Sequence, residues 1–386
     1  MSNQQNVRPT FSSYIKEFEG LRGLLAAWVV LGHILLLSGF EYQDGWFGIL
    51  FSPVLGVYVF MILSGFVITA TLDRNPTSWI EFMKRRTFRI FPVYLFCLFI
   101  AILLWPMSQA VSQSNVMSQF GPENMSRIDD VSQNFGLYLL FDLTLLQGLL
   151  PQSIFPFASE SFLPPTWSLT LEWMFYLIAP FAVWLFRVRP KLGIFAAWIF
   201  VFGMFQFSGF FHSWNKSFVV NNALYFLTGI ASYYAWKRLP EQKDARLIKI
   251  AFWLFALTLF GLFHLPFKIW ICMMVLILYP RFHHKKIRVL EGIRSLFCTK
   301  VTLFLGRTSY ATYLFHWIAI EMVMFWIAQL FPETTNRYVL ATVLIVTVYP
   351  MTYLVANWIN KFIEVPMIEW SKHKSVLIRK ASIQSA

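Results

Sequence analysis

The sequence predicts an all-α, polytopic membrane protein with about ten transmembrane helices, on composition, span length and charge placement. Of 386 residues, 57% are hydrophobic and only 13% are charged, whereas soluble domains run to about 25% charged. Apolar stretches of spanning length recur from end to end, at 22–40, 47–71, 90–107, 167–186, 191–209, 218–236, 248–264, 266–280, 309–330 and 338–363. The net charge of +13 is segregated between alternate connections.

Taken in order, each connection is assigned by its basic residues. One set holds Arg74, Lys84, Arg85, Arg86 and Arg89, then Arg187, Arg189 and Lys191. The same set holds Lys237 to Lys249, the run from Arg281 to Arg288, and the tail from Lys372 to Lys380. The opposite set keeps only Arg127, Lys216, Lys268 and Arg337. The positive-inside rule places the first set, and with it both termini, in the cytoplasm. It also accounts for the basicity without nucleic acid, which is excluded as a partner. The stretch 135–150 is apolar but short, and counting it as a span would put Arg187 to Lys191 outside. It is expected to re-enter the membrane or lie on its surface.

Residues 1–368 read as one transmembrane domain and 369–386 as a short basic cytoplasmic tail. The polar lead from Met1 to Ser13 lacks a signal-peptide pattern. Cys97, Cys272 and Cys298 have neither metal nor disulfide spacing. No HExxH, paired CxxC, GxGxxG or Walker-type loop occurs, so no metal site is expected.

Within this scaffold, ionisable residues in apolar stretches are candidate functional groups. His33 interrupts the run from Gly23 to Phe40, and Arg22 precedes it with ten residues between. Eleven helical steps separate the two by roughly 16 Å, which puts a guanidinium at one membrane face and an imidazole near mid-membrane. That pairing suits a long anionic substrate whose reactive end reaches the ring. Arg85, Arg86 and Arg89 lie three or four apart, so on a helix the pairs 85/89 and 86/89 share a face. Their planar forks suit phosphate oxygens, although topogenic charge or attraction to anionic headgroups explains them equally well.

Pro164-Pro165-Thr166-Trp167-Ser168 opens the fourth span, with Ser168 expected as its cap. Glu172 follows one turn in, where a carboxylate must pair with a buried base or face a polar cavity. Ser309, Tyr310, Tyr313 and His316 follow i, i+1, i+4, i+7 spacing and group polar atoms on one stripe. That stripe would line a cavity or supply interhelical hydrogen bonds. Ser64-Gly65 inside a span reads as close helix packing rather than as a nucleophile, because no base or acid lies near it in sequence.

These segments, in this order, resemble the bacterial membrane-bound acyltransferase 3 family from about residue 16 to 368. Arg22-x(10)-His33 resembles the family's opening motif, and Leu55 to Phe66 its second segment. Arg86-x-x-Arg89-Ile-Phe-Pro92 is similar to its Arg-x-x-Arg element, and Trp167 to Glu172 to its Trp-Ser-Leu-x-x-Glu block. Gly306 to His316 and Glu364-Val-Pro366 complete the series. The resemblance implies a multi-pass enzyme of the bacterial cytoplasmic membrane that transfers an acyl group, commonly acetyl, from cytoplasmic acyl-CoA. The acceptor would be a hydroxyl on an envelope molecule such as a lipopolysaccharide, capsule or glycolipid sugar.

The resemblance further implies His33 as the essential catalytic residue and the arginines as CoA contacts. Glu172 would orient the ring or bind the sugar; Trp167, Ser168, Ser309, Tyr310, Tyr313 and His316 are substrate or oxyanion candidates. Tyr58 and Met61 depart from the family pattern, which often has a polar residue and a Phe there. Some members carry a fused extracytoplasmic SGNH-type domain; this chain is expected to act alone or hand over to a separate partner. The alternative class is a transporter or flippase for lipid, glycan or acyl groups, which would use a similar midplane cavity.

Overall fold

The computed structural model describes residues 15–41, 48–49, 51–114, 121–207, 214–238, 264–282, 287–331 and 336–372. Among these the fold is helical, with no strand beyond one isolated bridge between Pro151 and Trp214. The first half holds α1 (Lys16–Leu37), α2 (Pro53–Arg74), α3 (Trp79–Leu103), α4 (Trp105–Ser112), α5 (Gly121–Gln133) and α6 (Phe135–Thr144). The second half holds α7 (Thr166–Val188), α8 (Pro190–Gln206), α9 (Ala223–Arg238), α10 (Leu265–Phe282), α11 (Arg288–Leu296), α12 (Lys300–Leu330) and α13 (Arg337–Ile359). A π-helical turn at Asn360–Glu364 joins α13 to a continuation ending at Lys372.

Among the described residues, six helices are long and apolar enough to cross a membrane: α1, α2, α3, α7, α12 and the continuous helix Arg337–Lys372. Helices α8, α9 and α10 coincide with three further expected spans but are shorter. The expected span 248–264 lies outside the described residues. Helix α6 has ten residues, about 15 Å and half a bilayer's hydrocarbon thickness. It ends at Leu145 in the left-handed region, φ 53°, and a 3₁₀ turn at Gln147–Leu149 follows.

Two boundaries differ from expectation. Helix α7 starts at Thr166 with Pro165 as its N-cap residue, because a proline's fixed φ already suits a helix start. Ser168 therefore lies inside the first turn and does not cap it. Helix α3 begins at Trp79, capped by Ser78 Oγ accepting from Glu81 N at 3.2 Å. The arginines expected in a loop therefore sit on its first turns.

Glycines set the helix register at the centre. Helices α1 and α12 make the largest helix–helix contact and run parallel and in step. Gly20 lies against the Phe297 backbone, and Gly23 lies against Leu305 and Gly306. A Cβ on Gly23 would stand 2.6 Å from Gly306 N, so only hydrogen fits. Ten residues further along both helices, about 15 Å, His33 meets His316. Helices α2 and α9 are drawn together the same way, Gly65 against Phe226 and Gly229 against Ile62, as Ser-Gly inside a span suggests.

Candidate functional site

Helix α1 carries Arg22 and His33 on one face, since eleven steps of about 100° make three turns with about 20° left over. The structure places His33 four residues from the end of α1, about 6 Å along the axis rather than at the midpoint. The helix starts six residues before the expected span and stops at Ser38, where Gly39 turns with φ 87°.

The two imidazoles are bonded in series. His316 Nδ1 lies 3.2 Å from Thr312 O, and His33 Nδ1 lies 3.0 Å from Val29 O. A carbonyl only accepts, so each Nδ1 carries the proton and each neutral ring keeps its lone pair on Nε2. His33 Nδ1–H is then shared between Val29 O and His316 Nε2, which lies 3.1 Å away. His33 Nε2 is left as a free base. His316 is fully buried, and His33 is partly exposed.

A cavity of about 100 Å³ has Arg22, Arg89, Ser64, Glu172, Tyr176 and Tyr310 in its wall; neither histidine lines it, and Tyr313, in the wall, is the residue in contact with the pair. Ser168, Ser309 and Tyr313 also line it. Glu172 accepts hydrogen bonds from Ser64 Oγ at 3.0 Å and from Tyr176 OH. It therefore bonds into the arginine side of the cavity rather than to either histidine. Arg22 and Arg89 both feel the charges of Glu19 and Glu172, and Glu364 adds to the field at Arg89. Carboxylates therefore offset part of the charge of the two arginines, while Val57, Phe60, Met61, Ile90 and Phe226 make much of the remaining wall apolar.

The remaining predicted residues divide between cavity and surroundings. The Arg86 guanidinium stacks 5.2 Å from the Phe82 ring and 5.3 Å from the Tyr176 ring, with its buried Nε unpartnered. Arg85 points away: it is 43% exposed and pairs with Glu81 at 2.5 Å. The difference follows from helical phase, since one residue turns the side chain by about 100°. Tyr313 lies beside the histidines, its ring 5.9 Å from His316, and its OH donates to Pro165 O at 2.8 Å. The Tyr313 OH is also 2.7 Å from Ser168 Oγ. Tyr310 OH donates to Ile90 O at 2.8 Å. Trp167 packs edge-on to Tyr58 at 6.5 Å, with Lys216 Nζ 5.3 Å over its ring.

Sequence reasoning passed over two features of this region. Glu321 accepts from Trp317 Nε1 at 2.8 Å and from Ser108 Oγ at 2.6 Å. Trp317 in turn stands edge-on to His33, with ring centroids 5.4 Å apart. The signal was an acid five residues after His316 in the apolar second half of its helix. The acid beside Ser64 is Glu172, 108 positions away, so no local motif shows it. Among the described residues no cluster of His, Cys, Asp or Glu has a metal-holding arrangement.

Comparison with known proteins bears out the family resemblance. The family model described as an acyltransferase domain matches residues 15–356. The chain belongs to the acyltransferase 3 family. Within curated proteins, the acyltransferase MdmB of Streptomyces mycarofaciens is 29% identical over 184 residues, covering 46% of this chain. The match spans 41% of the Streptomyces protein's own length. No solved structure matches. In acyltransferase 3 terms, the family match contains His33, the arginines, Glu172 and His316, and it ends before Glu364.

Proposed function

We propose that this protein is a multi-pass O-acyltransferase of the bacterial cytoplasmic membrane, with about ten spans and cytoplasmic termini. It takes an acyl group, acetyl as the family default, from cytoplasmic acyl-CoA. It passes that group to a hydroxyl of an envelope glycan or glycolipid, either alone or through a separate extracytoplasmic partner. The observation that carries the reading is the pairing of the Arg22–Arg89–Glu172 cavity with a histidine whose Nε2 is free, both served by one face of α1.

The reaction divides along that face. Pantetheine carries two amides, and a wall of Arg22, Ser64, Glu172 and Arg89 offers both donors and acceptors to them. The nucleotide phosphates would stay at the cytoplasmic mouth, where Arg86 leads in on the first turns of α3. The roughly 16 Å from Arg22 to His33 matches the span of a thin pantetheine arm. His33 Nε2 removes the acceptor hydroxyl's proton as that oxygen attacks the thioester carbon. The tetrahedral intermediate collapses with cleavage of the C–S bond, and the thiolate takes the proton from His33 Nε2–H, so that CoA leaves toward the cytoplasm as the thiol and His33 returns to its neutral form. Tyr313, whose hydroxyl proton goes to Pro165 O in the unliganded site, would serve the oxyanion by turning that proton away from the carbonyl. His33's place near the end of α1 favours access for an acceptor from the extracytoplasmic side.

Proteoliposomes loaded with envelope glycan and supplied with external acetyl-CoA separate this reading from transport. Thioester cleavage that depends on acceptor supports transfer. Movement of intact solute without cleavage would instead support the transporter class.

A further inference from the structure

Among the described residues, helix α11 carries an apolar arc that the bundle leaves uncovered although, at nine residues, the helix is too short to span a membrane. Val289, Ile293 and Leu296 are 69%, 40% and 59% exposed, and at about 100° per residue they fall within an arc of about 60°. Arg288, Glu291 and Ser295 form the opposite arc. Between the two arcs, Leu290 and Phe297 pack against the core formed with α1, α2 and α10. Helix α11 is fixed in place rather than loose: Arg294 Nε donates to Glu17 Oε1 at 2.5 Å, and the Phe297 backbone lies against Gly20.

These anchors place α11 at the start of two candidate spans, α1 and α12, and just after the end of α10. A helix at that level meets the membrane surface. Around it the chain is basic: Arg281, Lys285, Lys286, Arg288 and Lys300 stand against Glu291 alone, with Arg294 already paired. Arg288 and Lys300 are exposed.

We propose that α11 is an interfacial membrane helix, with Val289, Ile293 and Leu296 inserted among lipid acyl chains and Arg288 and Lys300 set against anionic headgroups. A one-sided apolar arc with basic flanks is the chemistry such a boundary selects, and inner-leaflet anionic lipid attracts each nearby basic residue. The assignment to the inner leaflet rests on the topology given under the proposed function. The insertion itself does not depend on catalysis.

The test is site-directed spin labelling in nanodiscs, in a Cys272→Ser, Cys298→Ser background that retains the buried Cys97. Labels are placed one at a time by Val289→Cys, Ile293→Cys, Leu296→Cys, Glu291→Cys and Ser295→Cys. Oxygen collisions are expected to exceed those of a water-soluble nickel chelate several-fold at 289, 293 and 296, with the order reversed at 291 and 295. The contrast is expected to grow when phosphatidylglycerol is added to phosphatidylcholine, and to lose that growth in Arg288→Glu. Nickel access at all five positions would place the helix in water and overturn the proposal. Shielding of 289, 293 and 296 from both reagents would show a protein cover, from this chain or another, and would overturn it equally. A contrast indifferent to lipid charge would remove the anionic-headgroup assignment. Because the readout is depth, an inactive protein with this pattern sustains the proposal, while an active one without it overturns the proposal alone.

Discussion

His316 Nε2 lies 3.1 Å from His33 Nδ1, although the two residues are 283 positions apart. Their helices are held in step by glycines three turns below, and each ring is anchored by the carbonyl one turn back. The arrangement assigns opposite duties to the two ends of His33: Nδ1 is held, and Nε2 is free.

If His316 positions His33, losing it should slow the chemistry rather than weaken CoA binding. His316→Ala is expected to lower kcat about 100-fold, the scale of a misplaced reacting group, with KM for acyl-CoA nearly unchanged. His316→Gln, which can still accept from His33 Nδ1–H, is expected to recover part of that loss. Solid-state ¹⁵N spectra should show His33 protonated at Nδ1 in wild type and mixed in His316→Ala.

The arginines should separate by direction. Arg22→Ala and Arg89→Ala are each expected to raise KM for acyl-CoA about 10- to 100-fold, since a charge-assisted hydrogen bond is worth about 1.5–3 kcal/mol. Arg85→Ala, whose partner is Glu81 at the surface, should stay within about twofold, as exposed pairs contribute little. Steady-state kinetics on the three variants checks the order.

Much of this was legible in the chain. Arg22 and His33 share one helix, so their spacing alone gives distance and face. The apolar stretches likewise give most helices, because length and hydropathy are local properties. What stayed hidden depends on which helix lies beside which. Arg85 and Arg86 look alike until the flanks of α3 are known, and Ser64 gains an acid only when α7 packs on α2. The partnership of His33 with His316 is set by Gly20, Gly23 and Gly306, whose role as a contact surface no single helix reveals.

Glu321 tests that hidden shell. Glu321→Ala strands the Trp317 N–H and the Ser108 hydroxyl and is expected to cost about 1–3 kcal/mol. Glu321→Gln keeps an acceptor for Trp317 and should cost less. Thermal unfolding in detergent, followed by intrinsic tryptophan fluorescence, ranks the two.

The glycine register offers a packing test with its own control. Gly23→Val forces a side chain into the Gly306 backbone and is expected to destabilise by about 1–3 kcal/mol, with loss of activity through the shifted His33–His316 contact. Gly203→Ala, where nothing lies within 4 Å of the added carbon, should fall within about 0.5 kcal/mol of wild type.

The most direct measurement is transfer of radiolabelled acetyl from acetyl-CoA to extracted envelope glycans by the purified protein in nanodiscs, comparing wild type with His33→Ala. Label is expected on the glycan with wild type and to fall at least about 100-fold with His33→Ala, while CoA binding and helix content stay the same. Equal labelling by the two proteins, or CoA binding without any transfer across the full range of envelope glycans, would contradict His33 as the base of an acyl transfer.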